Sequence, residues 1–436
     1  MGKSMNKTKQ SFKKFFLLWS GQFISAIGSG MTSFGLGVYV YQQTGKASAM
    51  ALMTLLAFLP SLLLSPLAGV LADRYDRRLL MVLGDSLSAG GLIFILVCML
   101  RGESELWQLC VGVTISSVFT SLLEPAYKAT VSDLLTKEQY TKASGLVQIA
   151  GSAKYLISPM IAGMLLAVAD IKVLLIFDIC TIFVTVASTL VVRKGIVSKR
   201  EQAQTSFAEE FKAGWQAVSA KRGVLALVII TSVMTFFLGF IQTLFTPLIL
   251  AFTDSATLGI CETIAASGML VTSVIIGVFS IKRGHVKVLS CSLFAAGIFM
   301  ALFGLRENTI LICVAGFLFF AMLPFADTSL DYLVRTNIEN SVQGRAWGLI
   351  GIISQMGYVL AYACSGALAD YVFTPFLLED GLLAANVGRI IGIGSGRGTG
   401  LLIIIAGIFL SITAVVVSRL KSISALERRD EVCIPE

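Results

Sequence analysis

The segment Gly69-Val70-Leu71-Ala72-Asp73-Arg74-Tyr75-Asp76-Arg77-Arg78 carries five charges in ten residues, in a part of the chain that is otherwise apolar. Its first four residues end one apolar block, 48–72, and its last residue leads into another, 79–100. Each block is long enough to cross the hydrocarbon of a bilayer, which takes about 20 predominantly apolar residues in a helix. The stretch therefore reads as a tight charged loop joining two spanning helices.

Outward from that hairpin the alternation recurs over the whole chain. Apolar spans are expected at 15–41, 48–72, 79–100, 106–127, 144–169 and 173–192. After a polar stretch they resume at 224–252, 258–281, 286–305, 309–333, 347–373 and 400–418. Twelve such helices need about 240 apolar positions, and 56% of the 436 residues are hydrophobic. Only 14% are charged, against about 25% in a soluble domain. No water-soluble fold hides that much apolar surface, and the same composition excludes intrinsic disorder. The expected class is an all-α membrane protein with twelve transmembrane helices.

The net charge of +8 does not mark a nucleic-acid binder, which needs a basic face interleaved with aromatic residues. Lysines and arginines fall instead in short runs between apolar blocks, concentrated in alternate loops. That asymmetry predicts both termini on the cytoplasmic side of a plasma membrane, as in a bacterial inner membrane. Lys3, Lys7, Lys9, Lys13 and Lys14 precede the first block, which is too long for a signal-peptide core and reads as an uncleaved anchor. The eight cysteines form no CxxC pair and read as small buried hydrophobes, and the only histidine, His285, has no ligand partner nearby. No metal site and no cofactor are expected.

The longest polar stretch, 193–222, holds Phe207, Phe211 and Trp215 at helical spacing. It predicts a cytoplasmic linker with an amphipathic segment on the membrane or on the helix ends. It divides the chain into an N-terminal six-helix bundle, 1–192, and a C-terminal one, 223–436. The bundles are internal repeats: one constant offset aligns Glu124 with Asp327, Lys142 with Arg345, Gly145-Leu146 with Gly348-Leu349 and Gly163 with Gly366. A slightly longer offset aligns Gly69-Val70 with Gly277-Val278, Arg74 with Lys282 and Arg77 with His285. Paired six-span repeats are a transporter architecture whose substrate site lies between the halves.

The opening segment resembles the G-x-L-x-D-R-x-G-R-[RK] signature of the major facilitator superfamily, and helix count, linker and repeat extend that resemblance over the whole chain. The resemblance implies a conformational latch built from Gly69, Asp73, Arg74, Arg77 and Arg78 with an acid on the fourth span, for which Glu124 is the candidate. Gly69 is expected to let the second span pack closely, and Asp73 to face a helix amino end, where the dipole favours an anion. Asp76 stands where a glycine is commoner, and Ile281 where the second copy should have its acid, so a weaker latch is expected there. Trp19-Ser20-Gly21-Gln22-Phe23-Ile24-Ser25, Glu124-Pro125-Ala126, Gln343-Gly344-Arg345 and Gly396-Arg397-Gly398 look like the macrolide-efflux group of drug:proton antiporters. Ser158-Pro159-Met160-Ile161-Ala162-Gly163 is a relaxed form of the antiporter element on the fifth span, with Pro159 and Gly163 kept for helix packing. Ser116 and Ser117 lie where other drug exporters carry an intramembrane arginine.

A charge placed in lipid costs about 2.5–3.5 kcal/mol on insertion scales, so retained ones face partners or a wet cavity. Asp327, Asp331, Glu124 and Asp178 are the candidates for proton coupling. Glu124 and Lys128 can pair at four residues' spacing, as can Asp331 and Arg335. Lys154 is expected to be a counter-ion for Glu124 or another acid, or a cavity residue, and Asp178 and Glu262 to be solvated groups near the outer ends. Gln22, Ser25, Ser29 and Ser33 share one face of the first span, and Thr235, Gln242, Thr243 and Thr246 recur in the seventh. Such stripes commonly serve helix packing; of them Gln22, Ser25, Ser29 and Gln242 are candidates for the substrate cavity.

The chain has no Walker A loop, GxSxG or HExxH, and no enzymatic role is expected. The reading is a monomeric secondary transporter, bathed in membrane lipid and binding no nucleic acid. It exports a small amphipathic, macrolide-like compound in exchange for protons, with the halves rocking about the site. A siderophore, lysolipid or sugar-like cargo is the alternative on the same fold, and a transport-dead membrane sensor the alternative from another class.

Overall fold

The computed structural model describes residues 2–102, 104–136, 139–193, 207–279, 281, 283–339 and 342–431. Residues 194–206 of the linker, Lys282 named above and one of the eight cysteines, Cys433, lie outside them. Among the described residues, twelve helices are long and apolar enough to cross a membrane: Phe12–Thr44, Ala47–Arg74, Arg77–Arg101, Leu106–Leu134, Lys142–Leu166, Ile171–Arg193, Arg222–Leu250, Ser255–Val278, His285–Leu305, Thr309–Asn337, Gln343–Phe376 and Ser395–Arg419. They are called spans one to twelve. Helix is what apolar sequence must form in lipid, because no water is present to satisfy backbone N–H and C=O groups. The all-α, twelve-span expectation holds.

Span four runs two turns beyond its expected end, to Leu134, as helices Leu106–Thr120 and Leu123–Leu134. Span five breaks at Ile157, and Pro159, second residue of the segment Ser158–Leu166 that follows, has no N–H to give. Ser158 ties that break to span one by donating to the Ile27 carbonyl at 3.0 Å. Asp254 caps span eight by accepting from the Thr257 N–H at 2.8 Å, which holds its carboxyl below the usual carboxylate range.

The contacts divide the chain into two units. Unit 1 is Met1–Gly45 with Leu52–Gln204; unit 2 is Lys46–Ala51 with Thr205–Glu436. In unit 1, span one packs on spans five and six, and span three on four and six. In unit 2, span seven packs on eleven and twelve, and span nine on ten and twelve. The same pairings recur at corresponding places, which is the internal repeat expressed as packing.

Small residues set the approach of these helices. Gly21, Gly28 and Gly35 of span one, two turns apart, face Ser188, Thr181 and Leu174 of span six in antiparallel register. Close backbone contact of this kind replaces the hydrophobic driving force that lipid does not supply. At the end of unit 1 where the chain begins, one apolar cluster gathers residues from all six spans, among them Leu18, Ala72, Met81, Ala126, Ala143 and Val192. At the matching end of unit 2, Gly284 (φ 78°) is the amino cap of span nine, in a conformation that favours glycine. There Glu427, from an additional helix Lys421–Glu431, accepts from the His285 N–H at 2.6 Å.

Spans three and four predict a sharp contrast between neighbouring glycines. A Cβ on Gly91 would meet the Gly112 carbonyl and lie 2.8 Å from the Ser116 nitrogen, whereas one on Gly90 meets nothing within 4 Å. Gly91→Ala is expected to cost about 1–3 kcal/mol from overpacking, and Gly90→Ala to gain about 0.5–1 kcal/mol of helix stability. Thermal melts of the two purified variants check this, and equal shifts would contradict the packing.

Candidate functional site

The charged decapeptide forms an ion-pair node in unit 1. Span two ends at Arg74 and span three starts at Arg77, so the connecting turn is two residues long. Asp76 has φ −62° and caps span three, accepting from the Arg78 N–H at 3.1 Å and pairing with Arg193 of span six at 2.9 Å. A glycine is not needed there, and the aspartate binds the ends of spans three and six together. Arg77 reaches Asp133 at 2.7 Å and Asp73 at 3.9 Å, and also donates to the Ala129 carbonyl at 3.4 Å. Arg78, only 1% exposed, reaches the other oxygen of Asp133 at 3.5 Å.

This corrects the expected acid of span four. Glu124 is exposed and pairs with Lys128 at 2.6 Å, four residues along its own helix. The partner of Arg77 and Arg78 is Asp133. Ending span four at Tyr127 had set Glu124 at the helix end; the two further turns bring Asp133 there instead. The packing reason given for Gly69 also fails, since a Cβ there would meet nothing within 4 Å. Asp73 and Arg74 are exposed, and among the described residues Asp73 has only the long contact to Arg77.

Deeper in unit 1 lies a second group. Asp178 of span six is 2% exposed, which corrects its expected solvated position. Its carboxylate packs against Gly28, with Thr32 and Thr181 beside it and the Lys154 ammonium within electrostatic reach. Glu124 is taken by Lys128, so the acid within electrostatic reach of Lys154 is Asp178. Asp85 of span three is also 2% exposed, one of its oxygens has no partner among the described residues, and Asp178 is the other acid within electrostatic reach. Sequence reasoning missed Asp85, although an acid amid the apolar block 79–100 was the available signal.

Along span one, Ser29 and Ser33 donate to carbonyls of their own helix, Ser25 is half-buried, and the buried Gln22 Nε2 has no partner among the described residues. Trp19 donates to the Leu146 carbonyl at 2.6 Å, joining spans one and five. Pro159 and Gly163 are buried in the second segment of span five. Ser117 is absorbed structurally, donating to the Ala57 carbonyl of span two at 2.6 Å.

In unit 2, Asp331 is held by Arg335 at 2.6 Å, and Asp327, one turn away, is exposed with no ion pair among the described residues. Glu262 is half-buried, without an ion pair among the described residues. Gln242 is exposed and accepts a 2.5 Å hydrogen bond from the Tyr362 hydroxyl of span eleven, whose ring lies 5.8 Å from that of Tyr358. Arg397 is buried and pairs with Glu307 at 2.9 Å, stapling the start of span twelve to the loop before span ten. Among the described residues no cluster of three metal-ligating side chains occurs.

The model of the Major Facilitator Superfamily matches residues 18–253. The chain belongs to that superfamily. It is similar to macrolide efflux protein A of Streptococcus pyogenes, 27% identical over 371 residues that cover 82% of this chain and 90% of that protein. It is also 27% identical over 168 residues to the enterobactin exporter EntS of Shigella flexneri, covering 38% of this chain and 40% of that one. Among solved structures, the nucleoside transporter NupG superposes with a TM-score of 0.73 at 13% identity, over 94% of this chain and 100% of that chain, and so shares the fold. The chain is thus a multi-pass membrane transporter of the facilitator type, resembling the macrolide-efflux branch.

The node makes a stability prediction that separates the two acids of span four. Asp133→Asn leaves a buried guanidinium without its carboxylate and is expected to cost about 3 kcal/mol or more. Glu124→Gln breaks only an exposed pair and is expected to change stability by less than about 1 kcal/mol. Melting of the detergent-purified variants checks both; a large loss at Glu124 with none at Asp133 would contradict the assignment.

Proposed function

We propose that this protein exports a small amphipathic, macrolide-like compound in exchange for protons, by alternating access of its two six-helix halves, 1–192 and 223–436, joined through 193–222. The observation that carries the efflux reading is the similarity to macrolide efflux protein A over 82% of this chain and 90% of that one. Proton exchange is supported by acids kept in the spans at a cost of about 2.5–3.5 kcal/mol each: Asp178, with Lys154 within electrostatic reach, and Asp327, without an ion pair among the described residues. Asp331 is the lesser coupling candidate because Arg335 already holds it. Asp73 with Arg74, Arg77 and Arg78 forms the conformational latch, anchored on Asp133. Gln242 with Tyr362, and Ser25 and Ser29, contact the substrate. Both termini face the cytoplasm, following the loop charge, and the transporter works as a monomer in the plasma membrane. The partial similarity to an enterobactin exporter favours a siderophore as the second cargo reading.

Proteoliposomes with an imposed pH gradient test the proposal. Acidifying the face opposite the termini is expected to drive a macrolide outward through it, and indifference of flux to the gradient contradicts antiport. Asp73→Asn is expected to insert and fold normally yet lose transport; wild-type rates in that variant would refute the latch. Asp327→Asn is expected to keep substrate counterflow while losing proton-driven accumulation. Survival of both activities removes Asp327 from coupling.

A further inference from the structure

Two hollows of unit 2 lie end to end along the seam of spans nine and twelve. The first, about 480 Å³, is polar: Gly284, Lys287 and Ser290 line it from span nine and its cap, Ser418 from span twelve, and Ser424 and Glu427 from the helix Lys421–Glu431. The second, about 490 Å³, runs along span nine from Phe294 to Leu305 and along span twelve from Val416 back to Ile404. It is apolar apart from Ser411, whose hydroxyl donates to the Phe294 carbonyl at 3.3 Å. Helical spacing makes the two hollows one groove. Lys287, Ser290, Phe294, Gly297, Ala301 and Leu305 recur every three or four residues and share a face of span nine. Ser418, Val415, Ser411, Ile408 and Ile404 do the same on span twelve.

The floor of the groove is set by small residues. A Cβ on Gly297 would meet Ser411 and the Gly407 carbonyl, so the helices touch there. The larger side chains of Phe294, Ile298, Ile408 and Ile412 are exposed and stand as its walls. From Phe294 to Leu305 the helix rises about 16 Å, close to the ~15 Å that one leaflet gives to a hydrocarbon core of about 30 Å. The groove therefore has the length of one acyl layer, with its polar hollow at the level of the headgroups.

That hollow carries surplus positive charge. Glu427 is spent on the start of span nine, accepting from the His285 and Val286 N–H groups at 2.6 and 3.4 Å, where the helix dipole favours an anion. Lys287 is exposed, and Arg283, Arg419 and Lys421 stand beside lining residues in the chain. None of the four forms an ion pair among the described residues. A zwitterionic headgroup would find no free acid for its amine, whereas an anionic one meets unpaired cations. We propose that the seam of spans nine and twelve binds one anionic glycerophospholipid, its phosphate at Lys287 and an acyl chain in the apolar groove. The lipid belongs to the leaflet on the side of the carboxy-terminal helix and joins that helix to both spans. The site is independent of the cargo and of the coupling ion.

Native mass spectrometry of the purified full chain, titrated with dioleoyl phosphatidylglycerol and with dioleoyl phosphatidylcholine, tests the site. One phosphatidylglycerol is expected to bind at least about fivefold more tightly than phosphatidylcholine. Lys287→Gln is expected to weaken phosphatidylglycerol by about fivefold, the worth of one cation near the headgroups, and to leave phosphatidylcholine unchanged. Ala301→Phe, which fills the groove, is expected to weaken both lipids. Glycerophosphoglycerol, the same headgroup without chains, is expected to show no binding. Equal affinity for the two lipids overturns the proposal, as does a phosphatidylglycerol affinity untouched by Lys287→Gln. Binding of glycerophosphoglycerol as tight as that of the lipid overturns it in favour of a free-phosphate site. Lys287→Gln alters an exposed side chain and decides the case even if Ala301→Phe fails to fold.

Discussion

The structure of unit 1 depends on the burial of one guanidinium. Arg78 is almost fully enclosed, and an enclosed cation is tolerated only when a carboxylate is held against it. Asp133 supplies that carboxylate and shares it with Arg77, while Asp76 caps span three and reaches across to Arg193. Spans three, four and six are thereby fixed at one end through charge, at the edge of an apolar cluster drawn from all six spans.

Fixing that end sets the level of everything above it. Regular helices carry the register upward at a constant rise, so Asp85 and Asp178 arrive at different depths on adjacent helices. The glycine seam of span one then brings backbone close enough to span six for Asp178 to be packed against Gly28. Unit 2 solves the same problem at its matching end with other residues. Ile281 replaces the acid there, and Glu427, from a helix beyond the last span, accepts from the backbone of span nine. Two copies of one packing scheme thus keep different electrostatics.

The fold was legible in the sequence because lipid leaves so few choices: apolar length counts the spans, and loop charge and the internal offset divide them into repeats. The partners of the charged side chains were less legible. Asp133 was hidden by an apolar count that ended span four at Tyr127, since polar residues fill its last two turns although the helix continues. Asp85 looked unremarkable in one span, and only the packing of span three against span six brings it within electrostatic reach of Asp178. Helical spacing did foretell the pairs that lie within one helix, Glu124 with Lys128 and Asp331 with Arg335. Pairs between helices depend on register, which no single segment encodes.

The central claim is that Arg78 and Asp133 stabilise the unit as a pair rather than separately, and a double-mutant cycle measures that most directly. Arg78→Met, Asp133→Asn and the double variant are compared with the wild type by unfolding in the same detergent. The account predicts a coupling energy above about 1 kcal/mol, with the double variant losing less than the two single losses combined. Losses that add to within about 0.5 kcal/mol would contradict it.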